Sequence, residues 1–412
     1  MLDPEYLLKV SEGAENIAAS LHEYIITQIV DRMMLRIGKG RDYLFTASDR
    51  WRIQILQDAG YLYSDIIKEI AAYTGKQRKE IKLAMEEAGI KAIEKDDKIY
   101  EAAGLSPIPL EQSPVLIRLM ERNMEATMGE WKNYTRTTAE AAQSLFLNEC
   151  DNAYNKVMSG ATAYTQAVRE AVESVAANGV TVEYPSGHKD TIETAVARAV
   201  RTGISQAAAQ ISVKRMDEMD WDIVLVSAHV GARTGDGQKN AANHHWWQGK
   251  FYTRTGKDTR FPPLSVTGYG TGEGLCGWNC RHSLGPGDGV NNPYTSLTQD
   301  DDEDAGKLEK LEKRQRELER RIRKTKRAVL AMQHAVDQCK DEPACFELQL
   351  GLDKKSYLLQ KQNDGYKEFC KINNLRPLSE RLQIAKWGRE QAAKARGAAK
   401  RYEAAKGRNS VV

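Results

Sequence analysis

Residues 308–339, LEKLEKRQRELERRIRKTKRAVLAMQHAVDQC, decide the fold class. A seven-residue repeat runs through them: Leu308, Gln315, Ile322, Val329 and Val336 take one seam position, and Leu311, Leu318, Thr325, Met332 and Cys339 the other. Eight of these ten residues are apolar, and apolar residues recurring every 3.5 positions keep one stripe of a helix turned towards a partner. Pro343 ends the run, because proline has no N–H to donate and its ring fixes φ. Beyond it Tyr357, Leu358, Tyr366, Phe369 and Ile372 make a second amphipathic stretch, so residues 307–376 read as an antiparallel, coiled-coil-like helical hairpin. Cys339 and Cys345 flank its tip and are expected as reduced thiols, since six cysteines in 412 residues are too few for a disulfide scaffold.

Outward from the hairpin the chain changes character on both sides. Residues 300–304 are all acidic and fall in an expected hinge, residues 293–306. On the far side, residues 377–412 form a basic tail; from Arg381 onward it holds nine lysines and arginines against two glutamates and is rich in alanine, which suggests an exposed helix that frays at its end. Residues 307–412 carry 27 basic against 14 acidic side chains, a net +13, which leaves −10 for the rest of a chain whose total is +3. Opposite ends therefore suit opposite partners.

Towards the N-terminus the pattern stays helical. Asp3 is placed to cap a helix with Pro4 in its first turn, and Ile17, Leu21, Ile25, Ile29 and Met33 follow at i+4 spacing as one long amphipathic helix stopped at Gly38 and Gly40. Shorter helices are then expected between Gly60, Gly75, Gly89 and Gly104, with Ser48, Ser64 and Thr74 as caps, so that residues 1–106 form a helical array. Pro107, Pro109 and Pro114 open a stretch of linker and helices, residues 107–178, broken near Gly160.

Residues 179–292 read as a small, loop-rich α+β domain. Val180, Val182 and Tyr184 alternate as a strand before a turn at Pro185, Ser186 and Gly187, and Asp190 with Glu193 resembles a capping box opening a helix to about Met219. Ile223, Val224, Leu225 and Val226 form a second short strand. After it, residues 228–292 are rich in Gly, His and Trp and lack periodicity, which is where function concentrates. The fold class is thus mainly α: a helical N-terminal region, this small domain, and the hairpin with its basic tail.

Composition agrees, with 41% hydrophobic, 28% charged and only 7% aromatic residues, favouring long helical interfaces over one aromatic-rich core. No stretch approaches the roughly 20 apolar residues of a membrane span, and the opening MLDPEYLLKV lacks the layout of a secretion signal, so a soluble chain is expected.

Four of the seven histidines, His229, His244, His245 and His282, share the loop-rich stretch with Cys276 and Cys280. Cys276, Cys280 and His282 offer thiolate and imidazole ligands at close spacing, and a further histidine, taken as His245, would complete a tetrahedral zinc site. The C-x3-C-x-H spacing differs from the usual C-x2-C knuckle, and the competing reading is a loop locked by hydrogen bonds around small buried cysteines. Trp246, Trp247 and Trp278 serve either as the domain's core or as interface anchors. Known catalytic patterns are missing: His229 is followed by Val230 and Gly231 rather than the H-x-E of a zinc deaminase, and there is no phosphate loop or G-x-S-x-G elbow. No catalytic residue is expected.

The run from Val226 through His229 to Arg233, then Trp247, Gln248 and Gly249, then Thr267 to Gly270, and finally Gly274 to His282 with Asn279, Cys280 and Arg281, resembles the phage minor capsid protein family. That family is related to the Mu-type minor head morphogenesis proteins, which share the Asn-Cys-Arg ending. The opening helix, the segment from Trp51 to Gly60 followed by Ser64, and the Arg201-Thr202-Gly203 stretch fit the same layout, over about residues 1–292. One departure is residues 234–246, a Gly-, Asn- and His-rich insertion where the family passes almost directly from Ala-Arg to Trp-Gln-Gly. The resemblance implies a multi-copy structural component of a tailed-phage head, assembled in the host cytoplasm near the portal. It would act in head assembly and in DNA packaging or delivery. Partners would be the portal or major capsid protein and, through the basic tail, packaged DNA. The alternative is a DNA-associated enzyme or toxin carried in the head, since such domains occur fused to effectors; it would need a separate catalytic domain, and none is visible after Asn292.

Overall fold

The structure, a computed structural model, describes residues 1–46, 50–184, 186–295 and 302–409. The expected cap Ser48, the turn residue Pro185 and the hinge residues Asp300 and Asp301 lie outside the described residues. Among those described the chain is 70% helical, so the mainly α class holds. In order, the helices are α1 (Pro4–Lys9), α2 (Glu12–Ile37), α3 (Arg41–Thr46), α4 (Trp51–Ala102), α5 (Pro114–Met158), α6 (Tyr164–Asn178), α7 (Ile192–Glu218), α8 (His244–Trp247), α9 (Asp302–Gln338), α10 (Glu342–Ile372) and α11 (Arg389–Asn409). The strands are β1 (Thr181–Glu183), β2 (Lys189–Thr191), β3 (Ile223–Val226), β4 (Phe251–Thr253) and β5 (Leu284–Pro286). The chain divides into two compact units: residues 1–15, 75–132 and 194–313 make one, and residues 16–74, 133–193 and 314–412 the other.

Among its described residues the regular structure of the second unit is helical apart from the β1–β2 hairpin, whose register pairs Val182 with Asp190. Leu21, Ile25, Ile29 and Met33 of α2 are buried as their spacing predicted, but the single helix expected from Asp3 to Gly38 is two, with Asp3 capping only the short α1 and a turn separating Lys9 from Glu12. In α9 and α10, Gln315 reaches Tyr366 at 3.3 Å and Cys370 at 3.5 Å, while Met332 lies against Gly351, so the two helices run antiparallel. Asp341 caps α10 by accepting from the Ala344 N–H at 3.1 Å, with Pro343 in the first turn where its missing N–H costs nothing. Cys339 and Cys345 form a disulfide, with Cα atoms 5.6 Å apart, where reduced thiols were expected; the turn between α9 and α10 brings the two Cβ atoms together.

Three sequence expectations are corrected here. The segment from Trp51 to Ala102 is one 52-residue helix rather than several short ones, and Ser64 and Thr74 are interior residues rather than caps. Gly60 and Gly75 sit on open surface within it, where a glycine costs about 1 kcal/mol relative to alanine. Ile55, Ala59, Leu62, Ile66 and Ile70 are buried along the same helix and outweigh that cost. Glu193 does not close a capping box, because it is buried against Arg327 and His22. The basic C-terminal helix is docked, not frayed: Ala395, Ala398 and Ala399 of α11 are buried, Arg401 pairs with Asp353 of α10 at 2.7 Å, and the Tyr357 and Tyr402 rings lie 5.3 Å apart.

The first unit holds the three-stranded antiparallel sheet, order β4-β3-β5. Val224 pairs with Tyr252 on one side and Pro286 on the other. Tyr100 of α4, Met216 of α7, Val224, Val226, Trp247, Tyr252, Leu275 and Leu284 form one buried cluster that also takes in Cys276 and Cys280. The loops carrying the histidines and cysteines are therefore part of a core.

Candidate functional site

The site is built where β3 leaves the sheet. Ser227 continues the pairing with Ser283, its N–H donating to the Ser283 carbonyl at 2.9 Å, and this sets His229 beside His282, with ring centroids 4.4 Å apart. Asn243 starts the single turn of α8 by accepting from the Trp246 N–H at 3.1 Å. That turn presents His244 and Trp247 inward, both 2% exposed or less. The Trp247 indole N–H donates to the Ala241 carbonyl at 3.0 Å, and its ring packs 4.8 Å from that of His282.

The third side is the glycine-rich loop. Gly274 and Gly277 are required by close approach: a Cβ on Gly277 would stand 2.3 Å from the Gly272 carbonyl, and one on Gly274 2.2 Å from that of Gly268. Cys276 and Asn279 adopt positive φ, 60° and 55°, which folds the loop back on itself. As a result the thiols of Cys276 and Cys280 both face the carbonyl oxygen of His282, at 3.7 and 3.9 Å.

His244, Cys280 and His282 each bring one ligand atom to within 4.8 Å of the others, and all three are buried. The Cys280 sulfur is 3.6 Å from Nδ1 of His282. Gln248 holds the arrangement from behind, since its Oε1 accepts from the His229 backbone N–H at 3.1 Å and faces Nε2 of His282 at 2.9 Å. Burial pushes His244 down to about 4 and, with the neighbouring His229, pushes His282 well below the ordinary histidine range. Burial likewise raises both thiols, the second thiol adding to the effect at Cys276.

Of the residues singled out in the sequence, Cys276, Cys280, His282, Trp247 and Gln248 converge here. His245 does not join the group of three; its neighbour His244 does. His229 stacks on the edge of the cluster. Arg233 donates to the Trp278 carbonyl at 3.0 Å, Arg281 faces Glu312 at 3.7 Å, and Gly249 accepts from Asn292 at 2.8 Å, so these three fasten the surrounding loops. Trp247 is fully buried and takes the core role, while Trp278 is 63% exposed.

A second polar cluster, in the helical unit, was not found from the sequence. Arg327 Nε lies 3.2 Å from Glu23, its Nη2 bonds Glu193, and His22 Nδ1 faces Glu193 at 2.8 Å, all four side chains being buried. No local signal marks it, because its members are up to 304 residues apart.

A family profile described as phage minor capsid protein 2 matches residues 2–359. No curated protein and no solved structure gives a significant match. The chain belongs to the phage minor capsid protein 2 family.

Proposed function

We propose that this virion protein is a structural, multi-copy component at or near the portal, assembling in the host cytoplasm with the portal or major capsid protein and acting in head assembly and DNA packaging or delivery. The observation that carries the reading is the family match over residues 2–359, supported by the kind of site the chain builds. Cys276, Cys280, His244 and His282 are each 2% exposed or less, so the cluster is walled off from substrate and its work is to hold loops together. The part acts structurally rather than as an enzyme or toxin.

The basic C-terminal helix lies beyond the matched residues, and Arg389, Lys394, Arg396, Lys400 and Lys406 are exposed along it. This face suits a phosphate backbone, with nonspecific binding that weakens as salt rises. Quantitative mass spectrometry of purified particles tests the assignment: a fixed number of copies in DNA-filled heads is expected, and absence from heads would refute it. Replacing Lys394, Arg396 and Lys400 by glutamine leaves α11 docked through its alanines and should lower DNA affinity several-fold at low salt, the difference vanishing near roughly 0.5 M. Unchanged affinity and salt slope would remove DNA from the list of partners.

A further inference from the structure

We infer that His244, Cys280 and His282, with Cys276 as fourth ligand, form a closed structural zinc site that ties the loops of the first unit to its sheet. Three features of the cluster fit a metal site.

The first is which ring nitrogens are left to bind. Gln248 Oε1 accepts from the His229 backbone N–H, which can only donate, so the amide orientation is fixed and Nε2 of His282 must carry the proton it gives to the same oxygen. That leaves the Nδ1 lone pair of His282 facing the Cys280 sulfur. His244 is fixed in the same way, its Nε2 donating to the Glu273 carbonyl at 2.7 Å and Nδ1 remaining as the nitrogen able to coordinate. Anchoring one imidazole N–H on an oxygen so that the other nitrogen faces the ion is the usual outer layer of a histidine metal site.

The second is spacing. Zinc bonds of about 2.3 Å to sulfur and 2.0 Å to nitrogen at the tetrahedral angle set S···N at about 3.5 Å; Cys280 Sγ and His282 Nδ1 stand 3.6 Å apart. Cys276 stands just outside this group of three, and its thiol and that of Cys280 both approach the His282 carbonyl oxygen, at 3.7 and 3.9 Å, in a loop turned back by the positive φ at residue 276.

The third is donor chemistry. Two thiols and two imidazoles with no carboxylate among them suit zinc and not magnesium or calcium. Complete burial of four ligands leaves no open position, which marks a structural rather than a catalytic site. The setting is also one that needs a tie, because residues 254–283 contain no strand and only one short helical turn between Leu264 and Thr267. Zinc binding free energy is then folding free energy for the unit.

The test uses the full chain produced in zinc-supplemented medium and dialysed. Elemental analysis should find about one zinc per chain, falling below roughly 0.2 in Cys280→Ser and in His244→Ala, and unchanged in His188→Ala, a surface histidine elsewhere. Because the buried substitutions can unfold the unit, a second measurement uses the unmutated chain: metal is removed with chelator and cobalt(II) is added back. A strong visible spectrum of tetrahedral cobalt with thiolate charge-transfer bands is expected, together with a fall in unfolding temperature of more than about 5 °C in the chelated form. The inference is overturned if the unmutated chain holds less than roughly 0.2 zinc, if cobalt gives only the weak spectrum of six oxygen ligands, or if Cys280→Ser keeps its zinc. Retention of the full thiolate intensity in Cys276→Ser would overturn the assignment of the fourth ligand.

Discussion

Replacing Arg327 by leucine removes the guanidinium that bonds both Glu23 and Glu193 in the helical unit. The size of the effect follows from what each carboxyl can do without it. Burial opposes ionisation of Glu193, yet Arg327 and then His22 outweigh it and hold this carboxyl well below the usual range; at Glu23 burial, with the neighbouring Glu193, outweighs His22 and Arg327 and raises the carboxyl. Without Arg327 the cheapest escape is to protonate Glu193. From the ordinary value of 4.5 that costs about 1.4 kcal/mol per pH unit, or about 3.5 kcal/mol at pH 7. This agrees with the 3–5 kcal/mol typical of breaking one side of a buried ion pair. The pH dependence has a definite sign. A carboxyl whose folded pKa is depressed contributes stability that is present above about pH 4.5 and lost as pH falls through the folded value. In the Arg327→Leu protein the buried carboxyl instead takes up a proton on folding, a cost that falls as pH approaches the unfolded value of 4.5, so the deficit should be largest near pH 7 and shrink to under about 1 kcal/mol at pH 4.5. Hydrogen exchange of amides in residues 314–372 reads this unit alone, which an overall melting curve of a two-unit chain does not. A loss below about 1 kcal/mol at pH 7, or a deficit that stays constant down to pH 4.5, would refute the argument.

Two further perturbations address the first unit. Trp247→Ala empties a fully buried site and strands the Ala241 carbonyl; a loss of about 3–5 kcal/mol in urea unfolding is expected, and one under about 1 kcal/mol would show that the indole is not the core of the loop domain. Gly277→Ala drives a Cβ into the backbone carbonyl of Gly272, and since backbone cannot swing aside like a side chain, limited proteolysis should cut within residues 268–280 at least about tenfold faster. Unchanged cleavage would mean that the loop has room the geometry denies.

How much of this was legible in the sequence depends on whether a feature is local. The seam of α9 is local: Ile322, Val329 and Met332 repeat at helical spacing and are buried as expected. Glycine as punctuation fails for the long α4, because Gly60 and Gly75 fall on the exposed face of a helix whose other face buries mostly apolar side chains. In the same way the alanines of α11 are a packing face, at i, i+3 and i+4, inside a segment whose charge suggested a free tail. The buried His–Cys cluster was legible in Cys280 and His282 but not in the choice between His244 and His245. Neighbouring residues on a helical turn point about 100° apart, and only the packing of His244 against Trp247, with ring centroids 4.5 Å apart, settles which one turns inward. Glu193 was illegible for a deeper reason: a glutamate three residues after an aspartate at a helix start satisfies a local rule, whereas its actual partner Arg327 lies 134 residues away. Local pattern thus reveals which faces a helix has, and long-range charge pairing decides what each face is for.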